Sequence, residues 1–205
     1  MSSVRDEPSV DGRHARRERN RLAVVDAMLE MYDDGNYEPS SDEIAARAGL
    51  SARSLFRYFD DLDDLVRVTI SRQYDRVRPL AQIDPSPDAP LAERIDRLVA
   101  SRLRTYNAIA TVGRVSRARA LTQPLIAVQI AQARALWRAQ ISALFAPELA
   151  STDDGEAVLA ALDALTSFEA VVYLREQGGR DGEIERALTV AVARLLATQP
   201  SNGRT

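Results

Sequence analysis

SSDEIAARAGLSARSLFRYF, Ser40 to Phe59, consists of two short helical patterns separated by one glycine. Ser40 is placed to cap a first helix, and Glu43, three residues on, can reach back to close a capping box. Ile44, Ala45 and Ala48 then share one face at helical spacing. Gly49 supplies the sharp turn, since a residue without Cβ takes the left-handed conformation at little steric cost. Ser51 is placed to cap a second helix whose apolar side is Leu55, Phe56 and Phe59. The pattern predicts a helix-turn-helix, with the second helix shaped for a DNA major groove.

Charge supports that expectation. No acid lies between Ile44 and Phe59, whereas Arg47, Arg53 and Arg57 do. The predicted exposed face of the second helix carries Ala52, Arg53, Ser54, Arg57 and Tyr58. An arginine can bond a guanine edge bidentately or sit on phosphate, and serine or tyrosine hydroxyls can do either. Ser40 and Ser51 would lie near backbone phosphate at helix N-termini. The same residues also allow a plain helical hairpin with solvated arginines.

Composition bounds the rest. The chain has 205 residues, 45% hydrophobic and 28% charged, enough for a small DNA-reading domain and a larger core-bearing one. It has no cysteine and one histidine, His14, so neither disulfides nor a His/Cys metal site is expected, and no cofactor. No apolar run approaches the roughly 20 residues that span a bilayer, and no signal-peptide pattern opens the chain, so a cytoplasmic location is expected. All 27 basic residues are arginine. The net charge of −3 opposes a nucleic-acid partner only if charge is evenly spread, because screening acts over about 10 Å near 0.1 M salt.

Along the chain, residues 1–12 read as a disordered tail. RHARRERNR, residues 13–21, holds five arginines against one glutamate; Arg16 and Arg17 could follow phosphates or enter a minor groove, or the segment could be a solvated helix start. Leu22, Val25, Leu29 and Tyr32 make one stripe of a first helix. Asp60 to Asp64 opens a fourth helix with Leu62, Leu65, Val66, Thr69 and Ile70 on its apolar face. Four prolines between Pro79 and Pro90 predict a loop. Leu91, Ile95, Leu98 and Leu103 mark a fifth helix to about Ala110, and Gly113 interrupts the pattern. A short sixth follows with Arg114, Arg117 and Arg119, which could meet an acidic ligand or be salt-bridged. Thr122 is placed to cap a seventh helix carrying Leu125, Val128, Leu136, Trp137 and Leu144. Two last helices, at about 153–177 and 183–197, have clear stripes: Val158, Ala161, Leu162, Leu165, Phe168 and Val172 on one, Ile184, Ala187, Leu188, Ala191 and Leu195 on the other. Such a pair can bury its faces in its own subunit or in a four-helix bundle across a two-fold axis. Residues 199–205 read as a tail.

The run IAARAGLSARSLFRYFDDLDDL from Ile44 resembles the N-terminal domain of the tetracycline-repressor (TetR) family of bacterial transcription regulators. The matching features are Ile44-Ala45, Gly49, Ser51, the block Leu55-Phe56-Arg57-Tyr58-Phe59 and the acidic step into Leu65; the likeness extends over about residues 13–70. Two positions depart. Leu62 stands where the family often has a lysine that touches DNA backbone, and Phe56 where it often has a tyrosine, so two phosphate contacts are in doubt. The resemblance implies a DNA-contact set of Arg16, Arg17, Ser40, Ser51, Ala52, Arg53, Ser54, Phe56, Arg57 and Tyr58. It also implies a small-molecule effector near the aromatics Tyr106, Trp137, Phe145 and Phe168, which could equally be ordinary core. It favours a homodimer seam through Leu162, Leu165, Phe168, Val172, Ile184, Leu188 and Ala191.

The expected architecture is all-α, about nine helices, with a helix-turn-helix domain over residues 13–60 and an effector-binding and dimerisation domain over 61–198. The expected function is a dimeric, ligand-responsive repressor of a palindromic operator; the alternative is a helical ligand- or partner-binding protein with a non-functional helix-turn-helix. No paired Ser/His/Asp set, phosphate-binding glycine loop or metal cluster points to an enzyme.

Overall fold

The computed structural model describes residues 10–84, 86 and 88–197, with side chains from His14 onward. The described residues hold eleven α-helices and no strand. Two compact units divide between Gln73 and Tyr74, inside the fourth helix, some way beyond the 60/61 boundary expected from sequence. The reason is that the first three turns of that helix complete the core of the N-terminal unit.

In that unit α1 (Val10–Asp33) presents Val24, Val25, Met28 and Tyr32, all buried, to α2 (Ser41–Arg47), α3 (Ala52–Leu55) and the start of α4 (Leu62–Val77). Residues 10–12 thus begin a helix, and the rest of the expected tail lies outside the described residues. Ile44, Ala45, Leu55, Phe59, Leu65, Val66, Thr69 and Ile70 close the core. Thr69, a polar residue in that core, donates its hydroxyl to the Met28 sulfur at 3.5 Å. The acidic entry to α4 is a local device: Asp61 accepts the Asp64 amide at 2.7 Å, giving an orphan N–H a partner.

The C-terminal unit follows a short 3-10 turn at Arg78–Ala81. It contains α5 (Leu91–Ala108), α6 (Ala110–Arg119), α7 (Pro124–Leu144), α8 (Ala146–Ala150), α9 (Gly155–Leu165), α10 (Phe168–Glu176) and α11 (Asp181–Leu196). α5 packs on α11 and α10, and α9 on α7 and α11, around one core that includes Leu98, Tyr106, Ile141, Leu162, Phe168 and Val192. Arg94 pins the start of α5. It donates to the carbonyls of Ala89 at 2.9 Å and Leu144 at 2.7 Å, and bidentately to Glu148 at 2.8 and 2.5 Å.

Several local expectations are corrected. Gly113 does not interrupt a helix. The break falls at Ile109, with φ −112°, and Gly113 lies inside α6, where the Phe168 ring approaches so closely that a Cβ would sit 2.5 Å from Cζ. Thr122 does not cap α7. Its hydroxyl donates to the Arg119 carbonyl and Gln123 holds the cap position. The buried stripe of α7 is Ile126, Ile130, Trp137, Ile141 and Leu144; Leu125, Val128 and Leu136 face solvent. The predicted helix at 153–177 is two, α9 and α10, bent by 48°. Thr166 turns its hydroxyl back to the Leu162 carbonyl at 2.8 Å, and Ser167 caps α10 by accepting the Ala170 amide at 3.1 Å. A serine that satisfies the next turn's amides competes with helix continuation. α8, which starts with Pro147 in its first turn, accounts for the other additional helix.

Candidate nucleic-acid interface and effector core

The two caps expected at Ser40 and Ser51 both form. Ser40 Oγ accepts the Glu43 amide at 3.3 Å while the Ser40 amide donates to the Glu43 carboxylate at 2.8 Å. Ser51 Oγ accepts the Ser54 amide at 3.3 Å and lies 2.9 Å from Ser54 Oγ. Between them Gly49 has φ +69°, the left-handed value that turns α2 into α3. Past Leu55 the chain continues in tight turns, Arg57 and Tyr58 amides bonding the Ser54 and Leu55 carbonyls. α3 therefore ends before Phe56 and Phe59 of the expected apolar side, although Leu55 and Phe59 stay buried on one side.

Phe56 corrects the sequence reading of that side. It is 48% exposed, on the outer face with Arg53 and Arg57, and not on the apolar face. Ala52, Ser54 and Tyr58 are half-buried beside them. Tyr58 is oriented by Asn20 of α1, whose amide donates to its hydroxyl at 2.9 Å, and Arg21 lies 5.3 Å above the Phe59 ring. Arg53 and Arg57 form no ion pair among the described residues. Arg47 is different: it bonds Asp34 at 3.0 Å and Glu30 at 3.6 Å, so its charge is spent on the end of α1. Ser40 is also less available than expected, since Glu43 takes both its amide and its hydroxyl, and Ser40 holds the Glu43 carboxyl below the usual carboxylate range. The first turn of α3, by contrast, carries no acid. Arg16 and Arg17 are exposed on the N-terminal part of α1.

In the C-terminal unit, three of the four singled-out aromatics meet. Tyr106 packs edge-on to Trp137, centroids 5.3 Å apart, and to Phe168 at 5.6 Å, and its hydroxyl donates to the Thr166 carbonyl at 2.9 Å. Phe145 is buried elsewhere in the core, under Arg94. Two arginines flank the trio, Arg102 over Trp137 at 5.7 Å and Arg117 over Phe168 at 4.1 Å. Arg117 also bonds Glu169 at 2.8 Å, which answers the sequence question about that arginine: it is salt-bridged. Burial pulls the Glu169 carboxyl upward, but Arg117 and Arg134 hold it at about 2. Arg102 was not singled out from the sequence, and nothing in the helical pattern distinguishes it from a solvated arginine.

Of the expected dimer residues, Leu162, Phe168, Ile184 and Leu188 are buried inside the chain's own core and cannot also face a second copy. The outward sides of the same helices carry Leu165, Tyr173 and Val190, exposed by 38, 60 and 53%, with Val172 and Ala191 half-buried. A groove of about 890 Å³ along α11 is lined by small residues, Gly182, Ala187 and Ala191, together with Val190, Arg186 and Glu183. A stripe at helical spacing marks a buried face without saying which chain buries it.

These features define a helix-turn-helix unit joined to an all-helical, aromatic-cored unit. Residues 24–69 match the family model for bacterial regulatory proteins, tetR family. Among solved structures, the chain is similar to a transcriptional regulator from Rhodococcus sp. Rha1 (TM-score 0.67, 20% identity, 90% of this chain and 99% of that one). It is also similar to a tetR-family transcriptional regulator from Streptomyces coelicolor (0.66, 21%, 85% and 81%). A third likeness is to the multidrug binding protein EbrR complexed with imidazole (0.63, 20%, 91% and 95%). No curated protein matches the chain. Residues 24–69 thus carry the family's match, and the chain as a whole has the fold of these solved regulators. Among the described residues no single helix is long and apolar enough to cross a membrane.

Proposed function

We propose that the chain is a cytoplasmic, homodimeric transcriptional repressor that reads a near-palindromic operator and releases it on binding a small molecule. The observation that carries this reading is the outer face of α3 and the turn after it. Arg53 and Arg57 stand there solvent-exposed and without an ion pair among the described residues, flanked by Ser54 and Tyr58, with no acid in the first turn. Such arginines are free to take guanine edges or phosphate. The exposed side of α10 and α11, with Tyr173, Val190 and the small residues of the groove, supports a two-fold seam. Two recognition segments would then meet half-sites about 34–36 Å apart. The flanking arginines and aromatic trio around Tyr106 support a ligand core, in keeping with the multidrug binding and imidazole complex named for the EbrR structure. α4 contributes to both units and is the natural coupling element. A coupling of about 1–3 kcal/mol would weaken operator binding about 5- to 150-fold.

The test is selection of bound sequences from random DNA with the purified protein. A two-fold symmetric motif, bound with an affinity that falls steeply with salt, is expected. Failure to enrich any sequence would sink the reading and leave a helical ligand-binding protein.

A further inference from the structure

We infer that the small molecule is an anion, a carboxylate on an apolar or aromatic body, seated against Arg102 and Thr105 of α5 beside Trp137. The inference rests on the ligand-responsive reading above and names the chemistry that reading leaves open.

Arg102 is only 1% exposed and is the largest fully buried side chain among the described residues. Its Nη1 donates to the Gln140 side-chain carbonyl at 2.9 Å and its Nη2 to the Trp137 carbonyl at 3.1 Å. Both partners are neutral. Its Nε–H is buried with no acceptor. No carboxylate bonds it among the described residues. Asp163, whose charge reaches Arg102, is paired 3.8 Å away with Arg138. Arg94, the other buried arginine of this unit, shows what a built-in counter-ion looks like: Glu148 meets it with two oxygens. Burial of a guanidinium without such a partner is strongly disfavoured, and desolvation draws the Arg102 pKa down.

A second donor lies beside it. Thr105 follows Arg102 by three residues, so the two share a face of α5. The Thr105 hydroxyl is also buried with no partner. A buried donor left unbonded costs the full desolvation of that group. A carboxylate is acceptor-only, with two oxygens. One oxygen can take the Arg102 Nε–H and the other the Thr105 hydroxyl, while the ligand's body lies along Trp137 and Tyr106, whose rings are 5.3 Å apart. Gln140, half-buried, accepts from Arg102 through its side-chain carbonyl and donates its amide to the Ala81 carbonyl at 2.8 Å. A groove of about 350 Å³ is lined by Gln82, Ile83, Ser101 and Arg104 among others, Ser101 being the residue before Arg102 on α5.

The experiment titrates the full chain with benzoate and octanoate, and with the neutral isosteres benzamide and octanamide, following the fluorescence of Trp137, the only tryptophan. The carboxylates are expected to bind about tenfold or more tightly than the amides, the worth of one charge-assisted hydrogen bond. Arg102→Met should erase that preference. Thr105→Val, which keeps the volume, should lower carboxylate affinity several-fold with thermal unfolding and helicity retained, and decides the matter if the arginine variant does not fold. Equal binding of acid and amide, no response to either acid, or an unchanged preference in Thr105→Val overturns the inference and makes the two donors a water-filled or purely structural site. Selection of DNA on the same preparation separates the two proposals. DNA binding without carboxylate preference overturns this one alone. Carboxylate binding without DNA binding upholds this site and overturns the regulator.

Discussion

Arg53 and Arg57 in the N-terminal unit and Arg94 and Arg102 in the C-terminal unit are one chemical group in opposite settings. The first pair stands in solvent with no ion pair among the described residues. The second pair is buried over aromatic rings and bonded to carbonyls, and of the two only Arg94 is paired with a carboxylate among the described residues. An exposed arginine contributes little to folding and keeps its donors for a partner, whereas a buried one is tied to the stability of everything around it. Mutations in the two units should therefore separate affinity from stability.

The largest effect is expected at the C-terminal end. Leu188 is buried and Val190, two residues on, is half-exposed on the other side of α11. Leu188→Glu should destabilise the fold by more than about 4 kcal/mol, since it buries an unpaired charge. Val190→Glu should leave helicity intact and move the protein from dimer to monomer in sedimentation. A Val190→Glu protein that stays dimeric would refute the outward seam.

Next comes the buried ion pair. Glu148→Ala leaves Arg94 without its counter-ion and should cost about 3–5 kcal/mol in urea unfolding. The pair also sets a pH dependence. Arg94 holds the Glu148 carboxyl below its ordinary value, so the contribution is present above the usual carboxylate range and is lost as pH falls through the lower, folded value. Wild type should lose stability in acid more steeply than Glu148→Ala. The Glu169 pair, although held at about 2, is over a third exposed and should add little to that slope.

The exposed arginines should behave in the reverse way. Arg53→Ala and Arg57→Ala should each cost about 1–3 kcal/mol of affinity for a selected DNA site, with unfolding changed by no more than about 0.5 kcal/mol. Unaltered affinity in the double variant would remove the assignment. The smallest change is an added contact. Leu62 opens α4 without a charge, so Leu62→Lys should steepen the salt dependence of DNA binding by roughly one unit per subunit. An unchanged slope would place this helix end out of reach of phosphate.

The N-terminal unit was legible because its signals are local. Ser40, Glu43, Gly49 and Ser51 act on neighbours within four residues, and each does in the structure what its type and spacing imply. What stayed hidden depends on partners far along the chain. Arg47 looked like part of a basic face until Asp34 and Glu30 met it, and Phe56 looked apolar-side until the helix shortened. Arg102 is buried by α7, which no spacing on α5 announces. Gly113 was misread because a glycine that ends a helix and one that admits a ring look the same in sequence. The Thr166-Ser167 break was readable in principle, since Ser167 precedes Phe168 as an N-cap would, but the apolar stripe ran through it.

That break has a consequence for the order of folding. Because Ser167 takes the Ala170 amide, the Thr166 carbonyl is left for the Tyr106 hydroxyl, sixty positions earlier in the chain. Closing a loop of that length carries an entropy cost that local helix formation does not. The hydrogen bonds within α9 and α10 are local, but the angle between the two helices lacks the Tyr106 contact until α5 has docked. The corner is then expected to form late, after the folding transition state, and losing the Tyr106 contact should show as faster unfolding with the folding rate little changed.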